Sequence, residues 1–148
     1  MASFKGTYVH RLDTKGRLAI PRKLRTQIPD GGTLTVGAER CLSLYPQELW
    51  RDTERTLGNL DTLNPDARDT KRRLFGSAED VTFDGQGRIA IATHLREHAG
   101  LAKEAVVLGV GNVIEIWDAD EWRARSEHID DNASEIMRRA RGGVPQPI

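Results

Sequence analysis

The feature that most constrains this chain is an internal repeat. The segment DTKGRLAIPRKLR at 13–25 returns 71 residues later as DGQGRIAIATHLR at 84–96, with seven of thirteen positions identical. The match resumes at an offset of 72, where LSLY at 42–45 aligns with IEIW at 114–117. Two copies are too few for a solenoid, which needs three or more units. The repeat therefore predicts one domain built from two halves around a pseudo-twofold axis.

Composition excludes several classes of protein. The 148 residues are 38% hydrophobic and 30% charged, which suits one globular core and excludes collagen, mucins and wholesale disorder. No apolar run approaches the roughly 20 residues of a membrane helix, and the first residues lack the apolar region of a secretory signal. One cysteine, Cys41, can form neither an intrachain disulfide nor a cysteine-based zinc site. A reducing, cytoplasmic setting is the expectation.

Each copy predicts the same order of elements. Two strands flank a D-x-x-G turn, in which Asp suits the first position and Gly supplies the positive φ of a bulged hairpin. A short helix, two further strands and a closing helix follow. In the first copy the strands are predicted at 8–12, 17–20, 33–37 and 42–45, with the short helix at 22–27. In the second copy they are predicted at 81–83, 88–91, 105–108 and 113–117, with the short helix at 94–98.

Helix signals complete the predicted organisation. Asn64-Pro65 is typical of an N-cap and first helical residue. Asp118, with Glu121 three residues later, has the spacing of a capping box. We therefore predict one domain over 1–148. It comprises a first half at 4–58, a helical connector at 59–78, a second half at 79–125, a C-terminal helix at 126–141 and a disordered tail at 142–148.

Charge is balanced overall but not along the chain. There are 22 basic and 22 acidic residues, yet 1–30 carries a net +5 and 118–137 a net −5. Such asymmetry suggests a polyanionic partner for the basic segment. The alternative is that two solvated faces attract each other or a neighbouring subunit.

Two arginines follow the two turns. Arg17 and Arg88 each stand at the mouth of a predicted hairpin, and a two-stranded ribbon fits the major groove of DNA. Arginine there makes bidentate hydrogen bonds to guanine O6 and N7. Arg22, Lys23 and Arg25 come next on a short helix, where they can hold phosphates.

The same pattern has a purely structural interpretation. Asp13 with Gly16, and Asp84 with Gly87, make good turns whether or not an arginine follows. Because the turn needs Asp and Gly but not Arg, the recurrence of arginine in both copies favours a function. The residues alone leave the two interpretations about equally open.

A second candidate site is His94-x-x-Glu97-His98, the string of an inverted zinc protease. Residues four apart share a helix face, so both imidazoles could reach one metal ion. The first copy has no ligands at the corresponding 23–27, and no third ligand is identifiable. A solvated helix face is therefore the preferred interpretation, and no metal, cofactor, catalytic residue or enzyme activity is predicted.

Six short strings give the chain a family resemblance. In this order, and with both copies present, they resemble those of the bacterial MraZ proteins over about 4–125. Each half alone is similar to the broader AbrB-like, swapped-hairpin group. The strings are FKGTY at 4–8, LDTKGRLAIP at 12–21, LYP at 44–46, NPDAR at 64–68, DGQGR at 84–88 and IEIWD at 114–118.

The resemblance implies a fold and a function. The fold is α+β, with two tandem swapped-hairpin halves forming one small β-barrel with peripheral helices. The function is transcriptional regulation, usually repression, of the division and cell-wall gene cluster that includes the protein's own gene. Binding is to short direct repeats of double-stranded DNA upstream of that cluster. The assembly is a ring of many subunits, in the cytoplasm and associated with the nucleoid, with no membrane or small-molecule partner.

The resemblance also implies site residues. The family's D-x-x-x-R motif lands on Asp13 with Arg17 and on Asp84 with Arg88. The arginine of this turn contacts DNA in AbrB-like proteins, so that role is carried to Arg17 and, more weakly, to Arg88. Lys15 is carried over as a neighbour on the same turn.

Departures in the second copy make its loop the weaker candidate. Gln86 replaces Lys15, and Ala92 replaces Pro21, so the second loop is less basic and less rigid. Arg25 occupies the place of an AbrB-like helix arginine. The alternative function is a protein-interaction module, such as an antitoxin on the same swapped hairpin. Antitoxins add a disordered partner-binding tail, whereas the segment after 141 is short.

Overall fold

The structure, a computed structural model, describes residues 2–142. Its elements follow the predicted order in both halves, and the class is α+β. The first half contains β1 (Thr7–Arg11), β2 (Arg17–Ala19), α1 (Arg22–Arg25), β3 (Gly32–Val36), β4 (Leu42–Pro46), α2 (Gln47–Gly58) and α3 (Pro65–Ser77). The second half contains β5 (Glu79–Val81), β6 (Arg88–Ala90), α4 (Thr93–Ala99), β7 (Glu104–Gly109), β8 (Ile114–Asp118), α5 (Ala119–Asp131) and α6 (Ala133–Arg141).

The two halves exchange strands. A six-stranded antiparallel sheet has the order β1-β7-β8-β4-β3-β5, so the first strand of each half pairs with the third strand of the other. Strands β2 and β6 form a separate two-stranded ribbon, again with one strand from each half. Neither half can therefore complete its hydrogen bonding without the other.

The sheet does not close into the expected barrel. Strands β1 and β5 lie at its two edges. Each D-x-x-G turn carries the chain out of the sheet and into the ribbon, so β1 and β2 do not pair with each other. The first turn is closed by a hydrogen bond from Asp13 N to Arg17 O at 3.0 Å. The second turn has the same bond, from Asp84 N to Arg88 O at 2.9 Å. The predicted hairpins are thus correct as turns and wrong as strand pairs.

One apolar core lies between the sheet and the ribbon. Leu18 and Ile89 face each other across the ribbon with no exposed surface, and Leu24 and Leu95 of the two short helices pack beside them. Burying a side chain of this size stabilises the fold by about 1.5–3 kcal/mol. The ribbon is thereby anchored on one face, and its other face carries two arginines and two alanines.

The predicted C-terminal helix is two helices. Helix α5 begins after Asp118, whose side chain accepts from the backbone N–H groups of Asp120 and Glu121, as expected of an N-cap. The Glu121 half of the predicted capping box is not seen among the described residues, since Glu121 Oε1 accepts from Arg40 Nη1 at 2.8 Å. Helix α5 breaks at Asn132, where the backbone leaves the helical region at φ −121° and ψ 17°. The backbone N–H and the side-chain amide of Asn132 both donate to His128 O, at 3.2 and 2.9 Å. Helix α6 then runs to a left-handed Gly142. The rest of the predicted tail, 143–148, lies outside the described residues.

No helix in the described part of the chain is both long enough and apolar enough to span a bilayer.

Candidate nucleic-acid interface

The first loop is a tight turn organised by one carboxylate. Gly16, at φ +75°, donates its N–H to the Asp13 carbonyl at 3.1 Å. Oδ1 of Asp13 accepts from the backbone N–H groups of Lys15 at 2.9 Å and Arg17 at 2.8 Å. The predicted turn chemistry is confirmed, since Asp and Gly hold the positions expected for them.

The second loop repeats this geometry. Gly87 has φ +73° and donates to the Asp84 carbonyl at 3.0 Å. Oδ1 of Asp84 accepts from the N–H groups of Gln86 at 2.9 Å and Arg88 at 3.0 Å. The sequence repeat is therefore also a repeat of hydrogen bonds.

The same carboxylates orient the two arginines. Arg17 Nε donates to Asp13 Oδ2 at 2.6 Å, and Arg88 Nε donates to Asp84 Oδ2 at 2.9 Å. Nothing in the described chain accepts a hydrogen bond from the terminal nitrogens of Arg17. A fixed Nε edge with free terminal nitrogens is the arrangement that a planar hydrogen-bonding target such as a guanine edge requires.

The ribbon places both arginines on one face. In the β2–β6 register Arg17 lies opposite Ala90, and Arg88 lies opposite Ala19. Side chains two apart share a face of a strand, so these four residues line the face away from the buried Leu18. A small alanine side chain thus lies opposite each arginine on this face.

Electrostatics favour the charged form of both loop carboxylates. The backbone N–H of Arg17, together with its side chain and the N–H of Lys15, lowers the pKa of Asp13 to about 2. The backbone N–H of Arg88 is the main cause that lowers the pKa of Asp84. Both aspartates thus stay ionised near neutral pH and hold their arginines there.

The two loops are close but not equivalent. Arg88 Nη1 lies 3.4 Å from Asp13 Oδ2, so the carboxylate of the first loop also pairs with the arginine of the second. Arg88 thus has two carboxylates, and its side chain is 23% exposed, against 35% for Arg17 with one. Arg17 is the freer of the two arginines.

The other predicted DNA contacts fall into two groups. Lys15 and Arg22 are exposed beside the ribbon, as is Lys23. Arg25 is half-buried, and its Nη1 donates to Ile20 O at 2.9 Å. DNA contact by any of these side chains stays a prediction, and the contacts of Arg25 favour a supporting role.

Sequence reasoning missed a crossed pair of supporting arginines. Arg25 packs over Gly87 of the opposite half, where an added Cβ would meet its guanidinium carbon at 2.7 Å. Arg96 packs in the same way over Gly16 and donates to Ile91 O. The sequence signal for this pair was that positions 25 and 96, which correspond in the repeat, are both arginine. That each arginine reaches the loop of the opposite half becomes visible only with the strand exchange.

The histidine pair on α4 makes two separate contacts. Nε2 of His94 lies 3.1 Å from Ser77 O, and Nε2 of His98 lies 3.2 Å from Glu39 O. A carbonyl only accepts, so both nitrogens carry the proton in these bonds. Within residues 2–142 no three His, Cys, Asp or Glu side chains cluster as metal ligands do.

Fold and site together define a class of protein: a tandem repeat in which each half lends one strand to a shared ribbon, with an arginine held beside an aspartate at each turn. The sequence model of a family described as "MraZ protein, putative antitoxin-like" matches twice, over 3–73 and 74–142. The chain belongs to the MraZ family.

Curated relatives agree with this assignment. A protein of Thermomicrobium roseum is 41% identical over 92% of this chain and 96% of its own length. Proteins of Lactobacillus johnsonii (43%, covering 90% of this chain and 93% of the relative) and Alkaliphilus oremlandii (44%, covering 88% and 90%) are similar. All three are named transcriptional regulator MraZ.

Proposed function

We propose that this protein is a transcriptional regulator that binds double-stranded DNA through the outer face of the β2–β6 ribbon. The observation that carries the proposal is the pairing of each loop arginine with the aspartate that also closes its turn. That pairing fixes the arginine before DNA arrives, so little conformational entropy is lost on binding. The name that the relatives share supports regulation over catalysis, and we infer that the protein is not an enzyme.

Arg17 is proposed as the principal reader of base edges. It is the more exposed arginine and has one carboxylate partner, and Lys15 adds positive charge on the same turn. Arg88 contributes less, because Asp13 and Asp84 both engage it. Arg22, which is exposed, is proposed to hold a phosphate. Asp13, Gly16, Asp84 and Gly87 are proposed as turn residues without direct DNA contact.

The proposed target and assembly follow from the family resemblance. The target is a set of short direct repeats upstream of the protein's own gene, in the division and cell-wall gene cluster, and repression follows from covering the promoter. One chain offers few contacts, so a ring of copies that engages successive repeats can raise avidity about 10²–10⁴-fold. The proposed location is the cytoplasm, on the nucleoid.

A fluorescence-anisotropy titration tests this function. Wild type is compared with Arg17→Ala on the DNA upstream of its own gene and on scrambled DNA. We expect specific affinity to fall by about 1–3 kcal/mol for each lost guanine contact. Arg55→Ala is the matched control, since this exposed arginine of α2 pairs with Asp52 away from the ribbon.

Two results would overturn parts of the proposal. If correctly assembled wild type shows no preference over scrambled DNA, the protein-interaction function, in keeping with the antitoxin-like family description, replaces DNA reading. If Arg17→Ala binds the upstream DNA with the affinity and specificity of wild type, a residue other than Arg17 recognises the bases.

A further inference from the structure

In the first half, a helix packs on the outer face of the sheet, and we call the surface that it covers its seat. Helix α3 lies over β3, where Thr35 Oγ1 donates to Leu74 O at 2.8 Å. Phe75 of α3 packs edge-on against Trp50 of α2, with ring centroids 5.7 Å apart. Trp50 is consequently only 7% exposed.

The second half repeats the seat. Strand β7 takes the place of β3, and α5 takes the place of α2. Trp117 and Trp122 pack with centroids 5.4 Å apart, as Tyr45 and Trp50 do at 5.3 Å. The aromatic base on which a third helix rests in the first half is therefore present again.

This second seat is an open groove of about 440 Å³ with mixed lining. Its apolar lining is Val106 of β7, Trp122 and Ala119 of α5, and Val9 of β1, and its polar lining is Glu104, Arg123, Ser126 and Glu127. Val9 is 58% exposed. Among the described elements, no helix covers this groove in the way that α3 covers β3.

Helix α6 is the second copy of α3. ARDTKRRLFG at 67–76 aligns with ASEIMRRARG at 133–142, with four of ten positions identical. Both helices carry an ion pair between an acidic residue and an arginine three residues later: Asp69 with Arg72 at 2.8 Å, and Glu135 with Arg138 at 2.5 Å. Its apolar stripe includes Ile136 and Met137, and Met137 is 45% exposed. The helix that matches the empty seat is thus present, with Met137 exposed and Ile136 half-buried on its apolar side.

The connection before α6 prevents it from reaching its own seat. Six residues, 59–64, separate α2 from α3 and let α3 fold back over β3. Asn132 alone separates α5 from α6, and α5 is the element that α6 contacts most. A helix whose linker is too short to let it fold back onto its own chain can instead pack on a second copy, which is domain swapping.

Charge fits the same occupant. Glu104 and Glu127, both exposed, stand at the rim of the groove, and Arg123 there is paired with Asp120 at 3.1 Å. Helix α6 ends in three arginines at 138, 139 and 141, of which Arg138 is paired with Glu135. The charge of this helix end is opposite to that of the two glutamates at the groove.

We infer that α6 of one copy occupies the Val9–Val106–Trp122 groove of a second copy, as α3 occupies the seat on β3 within the chain. The inference deepens the assembly part of the proposed function. It rests on contacts away from the ribbon, and its test measures assembly without DNA. Failure of the assembly inference therefore leaves the proposal of DNA binding standing, and failure of DNA binding leaves the assembly inference standing.

Analytical ultracentrifugation of the full chain tests the inference. We expect wild type to sediment as a multiple of 16.5 kDa and Met137→Asp to shift toward 16.5 kDa, with far-UV circular dichroism unchanged. Met137→Leu is the matched control and should assemble as wild type does. Wild type that sediments as a monomer, or Met137→Asp that assembles fully, overturns the inference.

Cross-linking separates exchange between copies from folding back. Met137→Cys protein is mixed with Val9→Cys protein and treated with a short bis-maleimide. The native Cys41 is buried, and burial raises its pKa to about 12, so it reacts slowly. Heterodimers that form in the mixture, and not with either variant alone, support the inference. A double variant that links only within one chain contradicts it.

Discussion

At the scale of single residues, Asp13 has three tasks in one side chain. Its Oδ1 closes the turn, its Oδ2 orients Arg17, and the same oxygen lies within 3.4 Å of Arg88. The hydrogen bonds that organise the loop are the ones that lower the pKa of this carboxyl. Loop geometry and charge are therefore linked, and acid should loosen both together.

Replacing Asp13 with asparagine tests that link. The folded pKa of Asp13, about 2, lies below the usual value near 3.9. Its contribution to stability is therefore fully present above about pH 4 and is lost as pH falls toward 2. In thermal denaturation from pH 6 to 2, the Tm difference between wild type and Asp13→Asn should shrink across that interval. Asp30→Asn, at an exposed site outside the loops, is the control, and a difference constant with pH would contradict the assignment.

Arg25 and Arg22 allow a second comparison on one short helix. Arg25→Ala removes the bond to Ile20 O and the cover over Gly87, so we expect about 1 kcal/mol of lost stability. Arg22→Ala, at an exposed site, should leave stability unchanged. It should instead reduce the slope of log affinity against log salt by about 0.9, the value of one phosphate contact. A reduced slope for Arg25→Ala, measured by anisotropy at several salt concentrations, would make Arg25 a DNA contact instead.

At the scale of elements, local signals predicted the turns and missed the strand partners. Asp and Gly in D-x-x-G determine a turn through chemistry that lies within five residues, and both turns form as predicted. Alternation at 8–12 predicts a strand, yet it carries no information on which strand lies beside it, and β1 pairs with β7. The crossing of Arg25 to Gly87 depends on that long-range pairing, so sequence reasoning could not place it.

The helices show the same limit. Spacing of apolar residues continued across 132 and predicted one C-terminal helix. In the structure the backbone leaves the helical region at Asn132, at φ −121° and ψ 17°, and the helix ends there. Such a local choice is decided by about 1 kcal/mol, the worth of one hydrogen bond, which periodicity does not resolve.

Two glycines of the loops give a prediction at this scale. Gly16 has φ +75°, and an added Cβ would collide with the guanidinium of Arg96. Gly16→Ala should therefore lower the free energy of unfolding by at least about 1–2 kcal/mol. Gly85 has an open surrounding and no positive φ, so Gly85→Ala should change it by less than about 0.5 kcal/mol. Urea denaturation measures both, and equal effects would show that the turn does not depend on its left-handed residue.

At the scale of the whole molecule, the halves are interlocked. Strands β1, β2 and β5 all find their partners in the opposite half. Unfolding of one half exposes the unpaired strands of the other, so a single cooperative transition is expected.

A chain that ends at Ser77 tests this interdependence. Its β1 and β2 lose their partners, so as a monomer it should not unfold cooperatively. Two such fragments can supply each other's strands, and any folded form should then be a dimer whose Tm rises with concentration. Circular dichroism melts at several concentrations measure this. A monomeric fragment with a cooperative, concentration-independent melt would contradict the interlocked description.

The unequal loops of the shared ribbon also give the molecule a direction. Two identical subunits around a true twofold axis present the same surface twice and are suited to palindromes. Here Lys15 and Gln86 differ, and Asp13 engages both arginines while Asp84 engages one. Under the proposed function, each chain therefore has a leading and a trailing loop along the duplex. Neighbouring copies can all face the same way, and polarity on DNA becomes a property of a single polypeptide.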